Sequence, residues 1–364
     1  MIQLFKRIFN RADRTVKDCM DQDPQISQPQ LTWCHDTTMP IVDWKVAHEE
    51  AKQYKDKDAA ALGSYWRSAA LTWLKALRMH LGDHYSIEQS QSFAVFSSLK
   101  DRQLQLAVEF CERSRHRILR ALRGVASAWG NGPHVVLVFD NMDDYYNYVG
   151  NYYPASGEFA MSSGMFIQRG YGHFVFVLSE IAVMEPIIAH ELTHCLIAPL
   201  AIPAWLNEGT AVNMERQIVP LYRDPRRGIF SHREDEQKRA EFWNVNTIQQ
   251  FWSGKSFIRP DEGCSLSYDL ATELTRLIAR DYDKYCAYMN SANRTDAGSA
   301  AALPALGFTL GDLASAVLGE GQWEPDPASW QEGTERGQFQ QSDTERRESG
   351  IGEATTNSLK PMCH

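Results

Sequence analysis

His190-Glu191-Leu192-Thr193-His194, followed at 205–209 by Trp-Leu-Asn-Glu-Gly, is the stretch from which the rest of the chain is read. On a helix, two histidines four residues apart project from one face, where both can hold a single zinc ion. Glu191 between them is close enough to act on a water at that ion. The residues ahead of the motif (Ile181, Ala182, Val183, Met184, Ile187, Ile188, Ala189) are apolar, as a helix buried in a domain requires. Glu208 follows His194 by 14 residues, an interval that lets one helix end near Pro199–Pro203 and a second fold back. His190, His194 and Glu208 then make three ligands with a fourth position open to water, the catalytic rather than the structural arrangement. A structural site would more often be filled by cysteines, and Cys195 is the only one nearby. The competing bland reading makes the histidines ordinary helix residues and Glu208 a surface acid.

The two motifs resemble those of the gluzincin zinc metallopeptidases, in which a glutamate on the following helix is the third ligand. Trp205-Leu206-Asn207-Glu208-Gly209 is similar to the stretch around that glutamate in M1-type aminopeptidases. The short gap between motifs looks more like the compact bacterial peptidase MA-like families, over about residues 90 to 320. The Gly-x-Met-Glu-Asn exopeptidase signature is absent from the chain, which disfavours an exopeptidase.

The resemblance implies an α+β fold: a small mixed β-sheet, the zinc-motif helix and a mostly helical C-terminal half, thermolysin-like in plan. It implies Zn2+ as cofactor and a peptide or protein as substrate. His190, His194 and Glu208 would be the metal ligands and Glu191 the general base. A tyrosine or histidine on a later helix often gives the second donor to the carbonyl oxygen. Tyr268, in Ser267-Tyr268-Asp269-Leu270, is the candidate, against a plain core-anchoring role. A strand just ahead of the zinc helix would carry the extended substrate, either 165–168 or 173–178, by edge pairing. Asn207 and Thr210, flanking Glu208, are candidates for holding the ligands by hydrogen bonds. A zinc-bearing scaffold that binds peptides or proteins without cleaving them is the alternative; it would have no need of Glu191.

The surrounding sequence divides by texture. Residues 1–40 read as a flexible lead-in, 41–88 as a helical extension, 89–320 as the metallopeptidase domain and 321–364 as a disordered tail. In the extension, Trp44, Ala47, Ala51, Tyr54, Trp66, Ala70, Trp73 and Leu77 recur at helical spacing, with Gly63 as punctuation. Phe93–Ser97 and the run His134–Phe139 read as strands, and 101–124 as an amphipathic helix whose arginines form a solvated face. Tyr145, Tyr146, Tyr148, Tyr152 and Tyr153 suit a loop or short helix at a cleft rim. Later helices are expected over 266–281 and 308–318. The tail carries eight acids against four bases and almost no aliphatic residues.

Composition bounds the partners. The net charge of −9 argues against general nucleic-acid binding, which calls for a basic face. Seven scattered cysteines without a CxxC pair fit a reduced, cytoplasmic protein. No apolar run approaches the length of a transmembrane segment or a signal h-region. Ile2, Leu4, Phe5, Ile8 and Phe9 interleave with basic residues, a pattern that permits weak membrane-surface contact through the N-terminus.

Overall fold

The computed structural model describes residues 29–55, 59–130, 132–153, 164–220 and 232–330. A short antiparallel ribbon, β1 (Thr32–Trp33) with β2 (Val42–Asp43), leads into helices α1 (Lys45–Lys55) and α2 (Ala59–Leu81). The main sheet follows, from β3 (Ser86–Gln89), β4 (Phe93–Ser97), β5 (His134–Phe139), β6 (Gly164–Ile167) and β7 (His173–Val177). Helix α3 (Asp101–Ala121) joins β4 to β5, and α4 (Met142–Gly150) follows β5. The spatial order is β3-β4-β5-β7-β6. The central three strands are parallel, and each outer strand is antiparallel to its neighbour.

Both faces of this sheet are covered, which explains why β5 reads as an unbroken apolar run rather than an alternation. Phe93, Val95, Val136, Val138, Phe174 and Phe176 face one core, shared with α3 and the helices after the sheet. Ala94, Phe96, Val135, Leu137, Phe139 and Val175 face the other, shared with α2 and α4. The segment 41–88 is therefore built into the sheet's second core through Trp44, Trp66, Trp73 and Leu77. Gly63 lies inside α2 and does not interrupt it, because the buried Leu62, Tyr65, Trp66 and Trp73 of the same helix outweigh the roughly 1 kcal/mol that a helical glycine costs.

The C-terminal half is helical: α5 (Ile181–Ile197), α6 (Ala204–Ile218), α7 (His232–Phe242), α8 (Thr247–Trp252), α9 (Gly263–Ile278), α10 (Tyr282–Ser291), α11 (Ser299–Leu306) and α12 (Leu310–Leu318). The expected α+β class holds at this level. α5 is largely apolar apart from its histidines and glutamates, and from Met184 onward it is mostly buried between the sheet with α3 on one side and α6 on the other. Pro203 precedes α6, so the break expected near 199–203 is where the chain turns back. α12 starts at Leu310 because Thr309 and Asp312 close a capping box, with Asp312 N–H donating to Thr309 Oγ1 at 3.1 Å and Thr309 N–H to Asp312 Oδ2 at 2.9 Å.

Two expectations need correction. The tail does not begin at 321: residues 321–330 pack down, with Trp323 buried and its carbonyl accepting from Trp252 Nε1 at 2.7 Å. Gln249 holds the same strap, its Oε1 accepting from Asp326 N–H at 2.8 Å and Trp330 Nε1 at 3.0 Å. Aromatic anchors override the polar composition there; residues 331–364 lie outside the described residues, as do 1–28 with the N-terminal membrane-contact pattern. The tyrosine run forms no rim. Tyr145 and Tyr148 are fully buried in the core on the sheet's far side from α5. No single described helix is long and apolar enough to cross a membrane.

Candidate metal centre

The packing of α5 against α6 brings His190, His194 and Glu208 together, as the motif spacing implies. His190 Nε2 lies 2.9 Å from His194 Nε2, and Glu208 Oε2 lies 3.4 Å and 3.3 Å from these two nitrogens. Three donors each about 2.0–2.2 Å from a tetrahedral zinc would stand about 3.3 Å apart, close to these separations. His190 and Glu208 are almost wholly buried, while the His194 side chain keeps 12% of its surface exposed.

The outer nitrogens decide what the inner ones can do. His194 Nδ1 is 2.9 Å from Asn207 Oδ1, and His190 Nδ1 is 3.3 Å from a Glu215 carboxylate oxygen. Both partners only accept, so each Nδ1 carries the proton and donates. Each Nε2 then turns a lone pair toward the other and toward the Glu208 carboxylate. Three acceptors facing one another repel unless a cation lies among them. The donor set therefore fits a metal ion. Burial disfavours charge on His190, but hydrogen bonds to Glu208 and Glu215 outweigh it and lift its pKa to about 10.

Glu191 is also buried, on the side toward the sheet. Its Oε2 accepts from the Phe166 N–H of β6 at 3.1 Å. Burial raises its pKa, and the nearby charges of His194 and His190 work against that rise. β6 is an edge strand, so the Phe166 N–H points away from β7 and is free to meet a side chain. Tyr268, on α9, brings its hydroxyl into the same buried region. The hydroxyl has no hydrogen bond of good geometry, yet Glu208 lies close enough to act on it. Burial first, then the charges of Glu208 and Glu191, push its pKa well above the ordinary tyrosine value.

The sequence-derived residues sort as follows. His190, His194, Glu208, Glu191 and Tyr268 converge, and Asn207 holds a ligand as expected. Thr210 does not: its hydroxyl donates to Leu206 O at 2.7 Å and meets Tyr285 OH at 2.9 Å, away from the cluster. Tyr171 is packed among Trp44, Trp66 and Trp73, away from the cluster, and donates to Pro133 O at 2.5 Å. Cys195 turns from the cluster to His134, 3.8 Å from its Nδ1. The sequence reading missed the roles of Glu215 and the Phe166 N–H. Glu215 had a signal, since it sits two helical turns after Glu208 on the same face. A cleft of about 720 Å³ lies between α8, α12 and the 321–330 strap, and none of its lining residues belongs to the metal cluster.

No protein-family model matches this sequence, and no curated protein matches it at a significant level.

Proposed function

We propose that the protein is a zinc-dependent metallopeptidase of gluzincin type, hydrolysing peptide bonds at the cluster His190, His194 and Glu208. The observation that carries this reading is the convergence of three lone-pair donors with a separate, buried carboxylate, Glu191, beside them. Zinc bound there would supply Lewis acidity, bringing the pKa of a water to about 7 and polarising the scissile carbonyl. Glu191 takes the proton of the attacking water and returns it to the leaving amine. The Phe166 N–H fixes one oxygen of that carboxylate and leaves the other to face the water. Tyr268 donates to the carbonyl oxygen as negative charge develops on it.

The same reading gives the substrate a place. β6 is the edge of the sheet beside α5, and an extended peptide pairs with such an edge through its main chain. The mixed sheet, the metal helix and the helical C-terminal half are the supports for a thermolysin-like plan. The second reading, a metal-bearing scaffold that binds without cleaving, draws on the near-complete burial of His190 and Glu208. The retained Glu191 speaks against it.

Metal analysis of the purified protein, coupled to cleavage of an unbiased peptide pool with and without chelator, tests the proposal. The expected result is about one zinc per chain and hydrolysis that chelation abolishes and zinc restores. Hydrolysis that survives complete removal of metal would overturn it.

A further inference from the structure

Gly209 follows Glu208 on α6, at the point where α6 and α9 cross. A Cβ at this position would stand 2.3 Å from Ala271 O and 2.3 Å from Thr275 Oγ1, both on α9. Real Cβ atoms do not approach so closely, so the two backbones come this near only because residue 209 has no side chain. One turn later, Asn213 spans the same seam. Its Nδ2 donates to Gly209 O at 2.8 Å and, across the crossing, to Thr272 O at 3.0 Å. The hydroxyl of Thr272 in turn donates to Tyr268 O at 2.6 Å. The unbroken path runs from the residue beside a metal ligand to the backbone that carries the tyrosine.

The spacing of the two helices decides how far the Tyr268 hydroxyl reaches toward Glu208. Its ring makes an edge-on contact with Phe257 at 5.2 Å and packs against the core, and its hydroxyl has no hydrogen bond of good geometry to hold it. Depth must therefore come from the backbone. We infer that Gly209 and Asn213 are positioning residues that set the depth of the Tyr268 hydroxyl at the metal cluster. The kinetic part of this inference rests on the peptidase reading, whereas the geometric part does not.

Two arms test it. In the first, 3-fluorotyrosine is placed at 268 and its 19F resonance is followed as zinc is added to wild type, Gly209→Ala and Asn213→Ala. Zinc is expected to shift the wild-type resonance and to shift it by less than half as much in each variant, with zinc stoichiometry unchanged. Gly209→Ala adds bulk and is the variant more prone to misfolding. Asn213→Ala only removes two hydrogen bonds, and circular dichroism checks that it is folded. In the second arm, Asn213→Ala is expected to lower kcat about tenfold with KM within twofold, because small misplacements of a group near the reacting atoms cost rate rather than binding. In a Tyr268→Phe background the same change should cost less than about twofold, since the group being positioned is gone. Equal zinc-induced shifts in all three proteins, or the same kcat loss in both backgrounds, would overturn the inference. If wild type hydrolyses nothing, the peptidase reading fails and the 19F arm alone decides.

Discussion

For single residues, the nitrogen of each histidine that carries the proton decides what the cluster can bind. Asn207 and Glu215 accept from the two Nδ1 atoms, which turns both Nε2 lone pairs inward. His190→Ala or His194→Ala should remove most of the metal, and Glu208→Gln should weaken binding by removing charge. Glu215→Gln keeps an acceptor for His190 but loses the carboxylate, so metal affinity should fall about tenfold to a hundredfold. A zinc titration against a competing chelator reads all four. If Glu208→Gln leaves affinity untouched while Glu215→Gln abolishes it, the ligand set is misassigned. Tyr268→Phe should lower kcat by about tenfold to a thousandfold, about 1.4–4 kcal/mol, with zinc content retained. A purely core-anchoring tyrosine would instead lower the melting temperature and leave turnover near normal in the folded fraction.

At the scale of elements, the hairpin of β6 and β7 is what brings a backbone donor to Glu191. Gly164 begins β6 with no room for a side chain: a Cβ there would stand 2.2 Å from a Phe176 ring carbon and 3.0 Å from Ile187. Gly164→Ala should push the edge strand off the metal helix and cost about 1–3 kcal/mol, measured by denaturant unfolding. An unchanged midpoint would mean the strand accommodates freely. The helix that carries His190 and His194 and the strands β4 to β7 were legible in the sequence because each is an apolar run of characteristic length ended by a clear signal, such as Asp140-Asn141, and the start of α6 was legible from Pro203. β3 was not, since in Ser86-Ile87-Glu88-Gln89, an outer strand, only Ile87 is apolar. The tyrosine run misled because its density says nothing about which face of the sheet it meets. Tyr145 and Tyr148 recur at helical spacing, and the apolar far face claims them. The strap at 321–330 was hidden by its polar composition, and only Trp323 and Trp330 betray it. Within the site, Asn207 was legible from its adjacency to Glu208, whereas a backbone N–H such as that of Phe166 has no mark in a sequence.

At the scale of the whole molecule, stability should fall as pH falls through the range in which buried histidines resist protonation. His173 lies buried in the far core, its Nδ1 donating to Tyr171 O at 2.7 Å and its Nε2 accepting from Tyr148 OH at 2.7 Å. Burial lowers its pKa from 6.5 to about 4, and burial moves His134 in the same direction. The unfolded chain therefore binds a proton that the folded one refuses between these values. The stabilising contribution is complete above pH 6.5 and is lost as pH falls from about 6.5 to about 4, amounting to about 3 kcal/mol for His173. Urea unfolding of His173→Gln should depend less steeply on pH over that window than wild type, and identical slopes would contradict the assignment. The central claim, that this fold assembles a hydrolytic metal site and not merely a metal-binding one, turns on Glu191. Its replacement by glutamine keeps size and hydrogen bonding but removes the proton acceptor. The deciding measurement is the rate of peptide hydrolysis by zinc-loaded wild type and zinc-loaded Glu191→Gln side by side. Equal zinc content and a loss of at least about a hundredfold in rate are expected. Two zinc-loaded proteins that are indistinguishable on every peptide pool would contradict it.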